Sequence, residues 1–158
     1  HPDVSKRVAR LRERIQQAGI APRRVYAVNE KEFNTLRQRF DYEIIQYCLD
    51  NNDVSAALYF SLAQLSSQPK DAWLNATVGH CFNEMYARQK VHQLGKVVSL
   101  PSKYRPEDYN QVLQMIQNLR LTDIAALSYH FLKQNESVLS GYEPFAKEWA
   151  IAQQNFRN

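Results

Sequence analysis

The sequence predicts an all-α protein assembled from helix hairpins. Three observations lead there: apolar residues recur at spacings of three and four along almost the whole chain, no run of alternating apolar and polar β-branched residues stands between turns, and only four of 158 positions are glycine. A chain of this length buries roughly 70% of its unfolded surface. With 44% apolar residues it is expected to fold without disulfide or metal staples. It contains no apolar run of the roughly 18 residues that a membrane-spanning helix needs, so no such span is expected in this segment.

In chain order, Val4, Val8, Leu11 and Ile15 define a first helix that Gly19 ends and Pro22 keeps from resuming. Asn29, followed three residues later by Glu32, forms a capping box for a longer helix through Phe33, Leu36, Phe40, Ile44, Tyr47 and Cys48. The cluster Asp50-Asn51-Asn52-Asp53 breaks that helix, and the Asp53 side chain can accept from the first amides of the next. Pro69, Pro106 and Pro144 each stand at or near the start of a further helix, where a missing N–H costs least.

These hairpin lengths resemble the tetratricopeptide pattern, which repeats about every 34 residues. Phe40, Tyr47, Ala56, Phe60 and Ala63 take the packing positions of a first pair, with Pro69 near its closing turn. Val78-Gly79 and Phe82 mark a second pair, the glycine allowing close approach of a neighbouring helix; Tyr109, Val112, Ile116, Ala125 and Tyr129 mark a third. The resemblance implies a right-handed solenoid over residues 29–158, closed by a C-terminal capping helix over residues 144–156. One hairpin cannot bury its apolar stripe alone, so stacked pairs share a continuous core. Phe60 is expected in that core, where truncation to alanine costs about 3–5 kcal/mol. No breaker stands between Met85 and Arg88, and residues 71–98 read as one helix to about Val98 or as two. Residues 1–28 form a separate basic helix and linker.

Cys48 and Cys81 lie within apolar helical patterns, which favours buried free thiols over a disulfide; their spacing excludes a Cys-x-x-Cys site. The net charge of +4 is uneven, since the first forty residues hold ten Lys/Arg and four Asp/Glu and the remaining 118 hold ten and twelve. Lys6, Arg7, Arg10, Arg14, Arg23 and Arg24 read as a solvated helix face, with lipid headgroups, nucleic acid or an acidic domain as alternative contacts. Tyr and Phe fall on helical packing positions, so core is expected rather than a base-stacking platform, and no nucleic-acid partner is expected. His80 and Glu84, one turn apart, lack a third nearby ligand, and no metal site is expected there. No Ser-His-Asp or Cys-His arrangement and no glycine-rich phosphate loop is legible.

The face that tetratricopeptide geometry turns inward carries Gln38 and Asp41, then Trp73, His80, Asn83 and Glu84, then Asn110, Gln114, Gln117 and Asn118. Amide side chains both donate and accept, so such a face can hold an extended peptide backbone with little regard to its sequence. The alternative is that these are ordinary polar residues of helix surfaces.

The opening His1-Pro2, a short polar spacer, then Arg7, Val8 and Leu11 resembles the segment that closes the catalytic domain in HtpX-like and BepA-like zinc metallopeptidases. The His-Glu-x-x-His helix of those enzymes occurs nowhere in the chain. The resemblance therefore implies a non-catalytic region downstream of a zinc protease domain, with zinc belonging to that domain. It implies protein or peptide substrates and the protease domain as partners, a bacterial envelope location, periplasmic or membrane-associated through the upstream part, and work in protein quality control. At such a seam Pro2 fixes the turn and Arg7 forks onto a carboxylate of the catalytic domain. His1 either belongs to that turn or reaches the zinc and holds the enzyme latent. Two rival readings are a free-standing helical-repeat adaptor and a basic nucleic-acid-binding helical module.

Overall fold

The computed structural model describes residues 4–17 and 29–157. His1 and Pro2, and the expected breakers Gly19 and Pro22 with Arg23 and Arg24, lie outside the described residues. Among the described residues there are seven α-helices, one short 3-10 turn and no strand, so the protein is all-α. Contacts group the chain into two units, His1–Arg37 and Gln38–Asn158.

The first unit contains α1, Val4–Gln17, on which Val8 and Leu11 are exposed, and the start of α2, Glu30–Asp50. The Asn29 cap is present: the Glu32 amide donates to Asn29 Oδ1 at 3.2 Å, and Asn29 Nδ2 donates back to the Glu32 carboxylate at 2.9 Å.

Within the second unit, α2 ends where its polar cluster predicted. The Asp53 amide reaches the Cys48 carbonyl and the Asn52 amide the Leu49 carbonyl, with Asn52 at φ 58°, which is a Schellman ending built on asparagine. Asp53 then caps α3, Val54–Leu65, accepting from the Ala56 amide at 3.1 Å. The buried face of α3 runs through Val54, Ala57, Leu58 and Ser61. This corrects the repeat register: Phe60 and Ala63 lie on the exposed side, and Phe40 and Tyr47 of α2 are also exposed, while Ile45 and Cys48 are buried in their place. The α3 face is turned by about one residue from the expected one, because its core contacts follow the spacing of Val54, Ala57, Leu58 and Ser61. At 37% exposure Phe60 lacks the enclosure that a multi-kilocalorie truncation penalty requires.

The middle helix of this unit is α4, Ala72–Lys90, started by Asp71, which accepts from the Leu74 amide at 2.8 Å. It is buried on every side from Leu74 to Gly79 and again at Cys81, Phe82, Asn83, Met85 and Tyr86, and it packs against α3, α6 and α7. Gly79 makes the α6 contact possible, as expected of a small residue there. A Cβ on Gly79 would lie 2.7 and 2.9 Å from the two methyls of Leu132. α4 stops at Lys90 and does not run to Val98: His92, at φ 57°, lets the Gln93 amide return to the Arg88 carbonyl at 2.8 Å. Gly95 sits beyond, in the 3-10 turn Leu94–Lys96.

The following segment is tied down by polar groups. Ser55 Oγ meets Tyr109 Oη at 3.1 Å and accepts from the Ser99 amide at 3.1 Å, and Asn110 bonds both backbone groups of Ser102. α5, Glu107–Asn118, starts at Pro106; α6, Leu121–Leu139, starts at Arg120, whose amide and guanidinium both donate to the Asp123 carboxylate; α7, Glu143–Arg157, covers the expected capping helix. Two cores result. The larger joins α2 to α6 around Leu58, Leu74, Met85, Leu113 and Ile124, and the smaller seats α7 on α4 and α6 through Phe145, Trp149, Ala152, Leu132 and Ala76. Among the described residues no helix is long and apolar enough to cross a membrane.

Candidate functional site

Where α2 ends beside α4 and the start of α7, a groove of about 410 Å³ opens, lined by Leu49, Trp73, Ala76, Thr77, His80, Tyr142, Glu143, Pro144, Lys147 and Glu148. Its position follows from local rules. α4 brings Trp73, Thr77 and His80 to one face at spacings of four and three, and α7 brings Glu143 with Lys147 and Pro144 with Glu148, each pair four apart. Trp73 is braced by Tyr42, ring centroids 5.1 Å apart; Tyr42 in turn donates to Asp71 Oδ2 at 2.7 Å. Burial and that bond push the Tyr42 hydroxyl up to about 12, so the brace stays a donor at any physiological pH.

Behind the groove lies a polar chain. His80 Nδ1 stands 3.1 Å from Glu148 Oε1; Asn83 Nδ2 donates to Glu148 Oε2 at 2.8 Å and to its backbone carbonyl at 2.9 Å; Ser128 donates to Asn83 Oδ1 at 2.8 Å. For His80, the bond to Glu148 raises the imidazole's proton affinity above the ordinary histidine value, against the opposing pull of burial. Burial pushes the Glu148 carboxyl up, but the bonds from His80 and Asn83 and the nearby positive charges of His80 and Lys147 outweigh it, and the group lies below the usual carboxylate range. The dyad thus sets an imidazole, half-exposed at the groove and with raised proton affinity, against a carboxylate held behind it.

Of the residues expected on a concave binding face, Trp73 and His80 line this groove. Asn83 and Asn110 do not present their amides to a ligand: both are buried, Asn83 between Glu148 and Ser128 and Asn110 in the bonds to Ser102. The correction has a physical reason, since a buried amide must be satisfied internally and these two are. Gln38 donates to Gln68 at 2.8 Å, Gln117 to the Ser99 carbonyl, and Asn118 to the Gln114 carbonyl one turn back. Gln114 is exposed on α5, Asp41 is half-buried on α2, and neither lines the groove. Glu84 pairs with Arg88 at 2.6 Å, so it and His80 face different partners. Among the described residues no three His, Cys, Asp or Glu side chains are grouped to hold a metal ion. Cys48 and Cys81 are free and buried, and burial pushes both thiols above their ordinary value, which leaves them unreactive.

Sequence reasoning missed Glu148, Lys147 and Tyr142. For Glu148 a signal existed: Phe145, Trp149 and Ala152, four and three apart, define the apolar face of α7, and Glu148 falls on that face. Neither a family model, nor a curated protein, nor a solved structure matches the chain.

Proposed function

We propose that this chain is a non-catalytic, protein-binding helical domain whose groove between α4 and α7 takes a side chain from an extended segment of a protein substrate or partner. One observation carries the reading. The groove combines two aromatic walls, Trp73 and Tyr142, with the Lys147 ammonium and the Glu143 carboxylate, and stands open at the exposed residues His80, Glu143, Pro144 and Lys147. Aromatic anchors with a polar rim are what protein recognition uses. The open side suits a residue of a longer chain better than an enclosed small molecule, which wants most of its surface buried. The aromatic walls select an apolar or aromatic side chain, and Lys147 favours an acidic residue beside it.

The wider setting is part of the same proposal. The helix pairs α3–α4 and α6–α7, each adjacent in sequence and packed together, support a tetratricopeptide-like solenoid closed by α7. The resemblance of His1, Pro2, Arg7, Val8 and Leu11 to the seam of HtpX-like and BepA-like peptidases supports a place beside a zinc protease domain in the bacterial envelope, presenting substrates to it. A free-standing adaptor would use the same groove without the protease.

Titrating peptides of the aromatic-acidic type against the chain tests the groove. Trp73→Ala and Lys147→Glu should each weaken binding by about tenfold or more, the loss of one anchor contact. Binding that is untouched by both substitutions contradicts the proposal.

A further inference from the structure

α2 carries two apolar faces. Tyr42, Ile45 and Leu49 turn toward the core, and on the other side Phe33, Leu36, Phe40, Ile44 and Tyr47 are 63, 52, 60, 42 and 68% exposed. At roughly 100° per residue, these five lie within about 40° of a line through Phe40, and Tyr42, Ile45 and Leu49 lie roughly opposite. Five large apolar side chains in one exposed row are more than scattered surface hydrophobics.

The row is symmetric about Phe40. Aromatic residues stand seven positions away on each side, Phe33 and Tyr47, and aliphatic residues four positions away on each side, Leu36 and Ile44. The flanking charges reverse across the same point: Arg37 and Arg39 precede Phe40, and Asp41 and Glu43 follow it. A two-fold axis at Phe40 therefore forms complete apolar layers from two antiparallel copies, Phe40 on Phe40, Leu36 with Ile44 of the second copy, Phe33 with Tyr47 of the second copy. Along the edges of that seam, Arg37 comes beside Asp41 of the second copy and Arg39 beside Glu43 of the second copy. A parallel pairing would instead set Arg37 beside Arg39 and Asp41 beside Glu43, like charge against like.

We propose that the outer stripe of α2 is the seam of an antiparallel homodimer, with the second copy of this chain as its occupant. Leu49, the α2 residue that lines the groove, lies on the opposite side of the helix, so pairing leaves both grooves open and gives one particle two binding sites. The row spans fourteen residue steps, roughly 21 Å of helix, which makes a small interface and a dimer that dissociates on dilution.

Sedimentation of the chain over a wide concentration range tests the seam. A dimer is expected that grows in with concentration, and Phe40→Glu should abolish it while leaving far-UV circular dichroism unchanged, because Phe40 is opposite the core. Charge reversal fixes the orientation. Arg37→Glu alone sets a carboxylate beside Asp41 of the second copy and should weaken the antiparallel dimer about tenfold or more, whereas in a parallel pairing it would lie beside Arg39 and tighten the dimer. A chain that stays monomeric throughout, or a dimer that survives Phe40→Glu, overturns the proposal and assigns the stripe to α1 or to a different protein. A dimer that tightens with Arg37→Glu overturns the antiparallel register. Loss of peptide binding in the groove would leave these outcomes unchanged, so the two proposals fail separately.

Discussion

Glu148 is the buried residue on which the site turns, because a carboxylate placed behind a groove must be paired or it shifts out of its charged form. Its partner His80 binds its proton more tightly in the folded chain than in the unfolded one. The contribution of His80 is complete below the ordinary histidine value of 6.5 and fades as pH rises through its raised folded value. Glu148 behaves in the opposite sense: its contribution is complete above the ordinary value of 4.5 and fades as pH falls through its lowered folded value. The pair therefore stabilises the fold most between about pH 4.5 and 6.5. Thermal melts of the chain and of His80→Gln across pH 4 to 9 check this. The difference in Tm between them should shrink as pH rises above about 6.5, and a difference independent of pH contradicts the pairing. His80 and Trp73 were legible from helical spacing as members of one face. Asn83 was placed on that face too, but period alone cannot distinguish a side chain that faces a ligand from one that a neighbouring helix covers. The cover here is α7, which lies more than sixty residues later in the chain, as the Asn83–Glu148 bond shows.

At the scale of elements, helix starts were legible and helix ends less so. Asn29, Asp53 and the prolines announce their helices by side-chain chemistry, whereas the turn that closes α4 beyond Lys90 rests on His92 in the left-handed conformation, a role that glycine or asparagine signals more plainly. Replacing His92 by glycine removes the Cβ penalty at that position and should stabilise the chain by about 0.5–1 kcal/mol, measured by urea unfolding; destabilisation would show that the imidazole does more than end the helix. Gly79 has the opposite requirement. Gly79→Ala gains about 1 kcal/mol of helix propensity, yet its Cβ would fall within 2.9 Å of both methyls of the fully buried Leu132. Overpacking of that kind costs about 1–3 kcal/mol, so a net loss of about 1 kcal/mol is expected by the same measurement, and a net gain would mean that α4 and α6 separate easily. The register error in α2 and α3 has a related origin. α2 is apolar on two faces, so Phe40 and Tyr47 satisfied a packing pattern whose residues turn away from the core. A row of apolar residues announces a contact without saying whether the partner belongs to the same chain.

For the whole molecule, the all-α class followed from apolar period and the absence of strand alternation, and both are local properties of sequence. Which helices surround α4 depends on contacts between residues far apart in the chain, such as Gly79 with Leu132 and His80 with Glu148, and no local pattern encodes those. The groove inherits this: its α4 wall was foreseen and its α7 wall was not. We propose recognition at that groove rather than on the basic α1 or the outer stripe of α2. Amide chemical-shift mapping of the isotopically labelled chain, titrated with an extended peptide carrying an aromatic residue followed by an acidic one, addresses this claim directly. The largest shifts are expected at Trp73, Thr77 and His80 on α4 and at Tyr142 and Lys147 on α7, with the Trp73 indole N–H among them. Shifts confined to α1, or to the stripe from Phe33 to Tyr47, would contradict it.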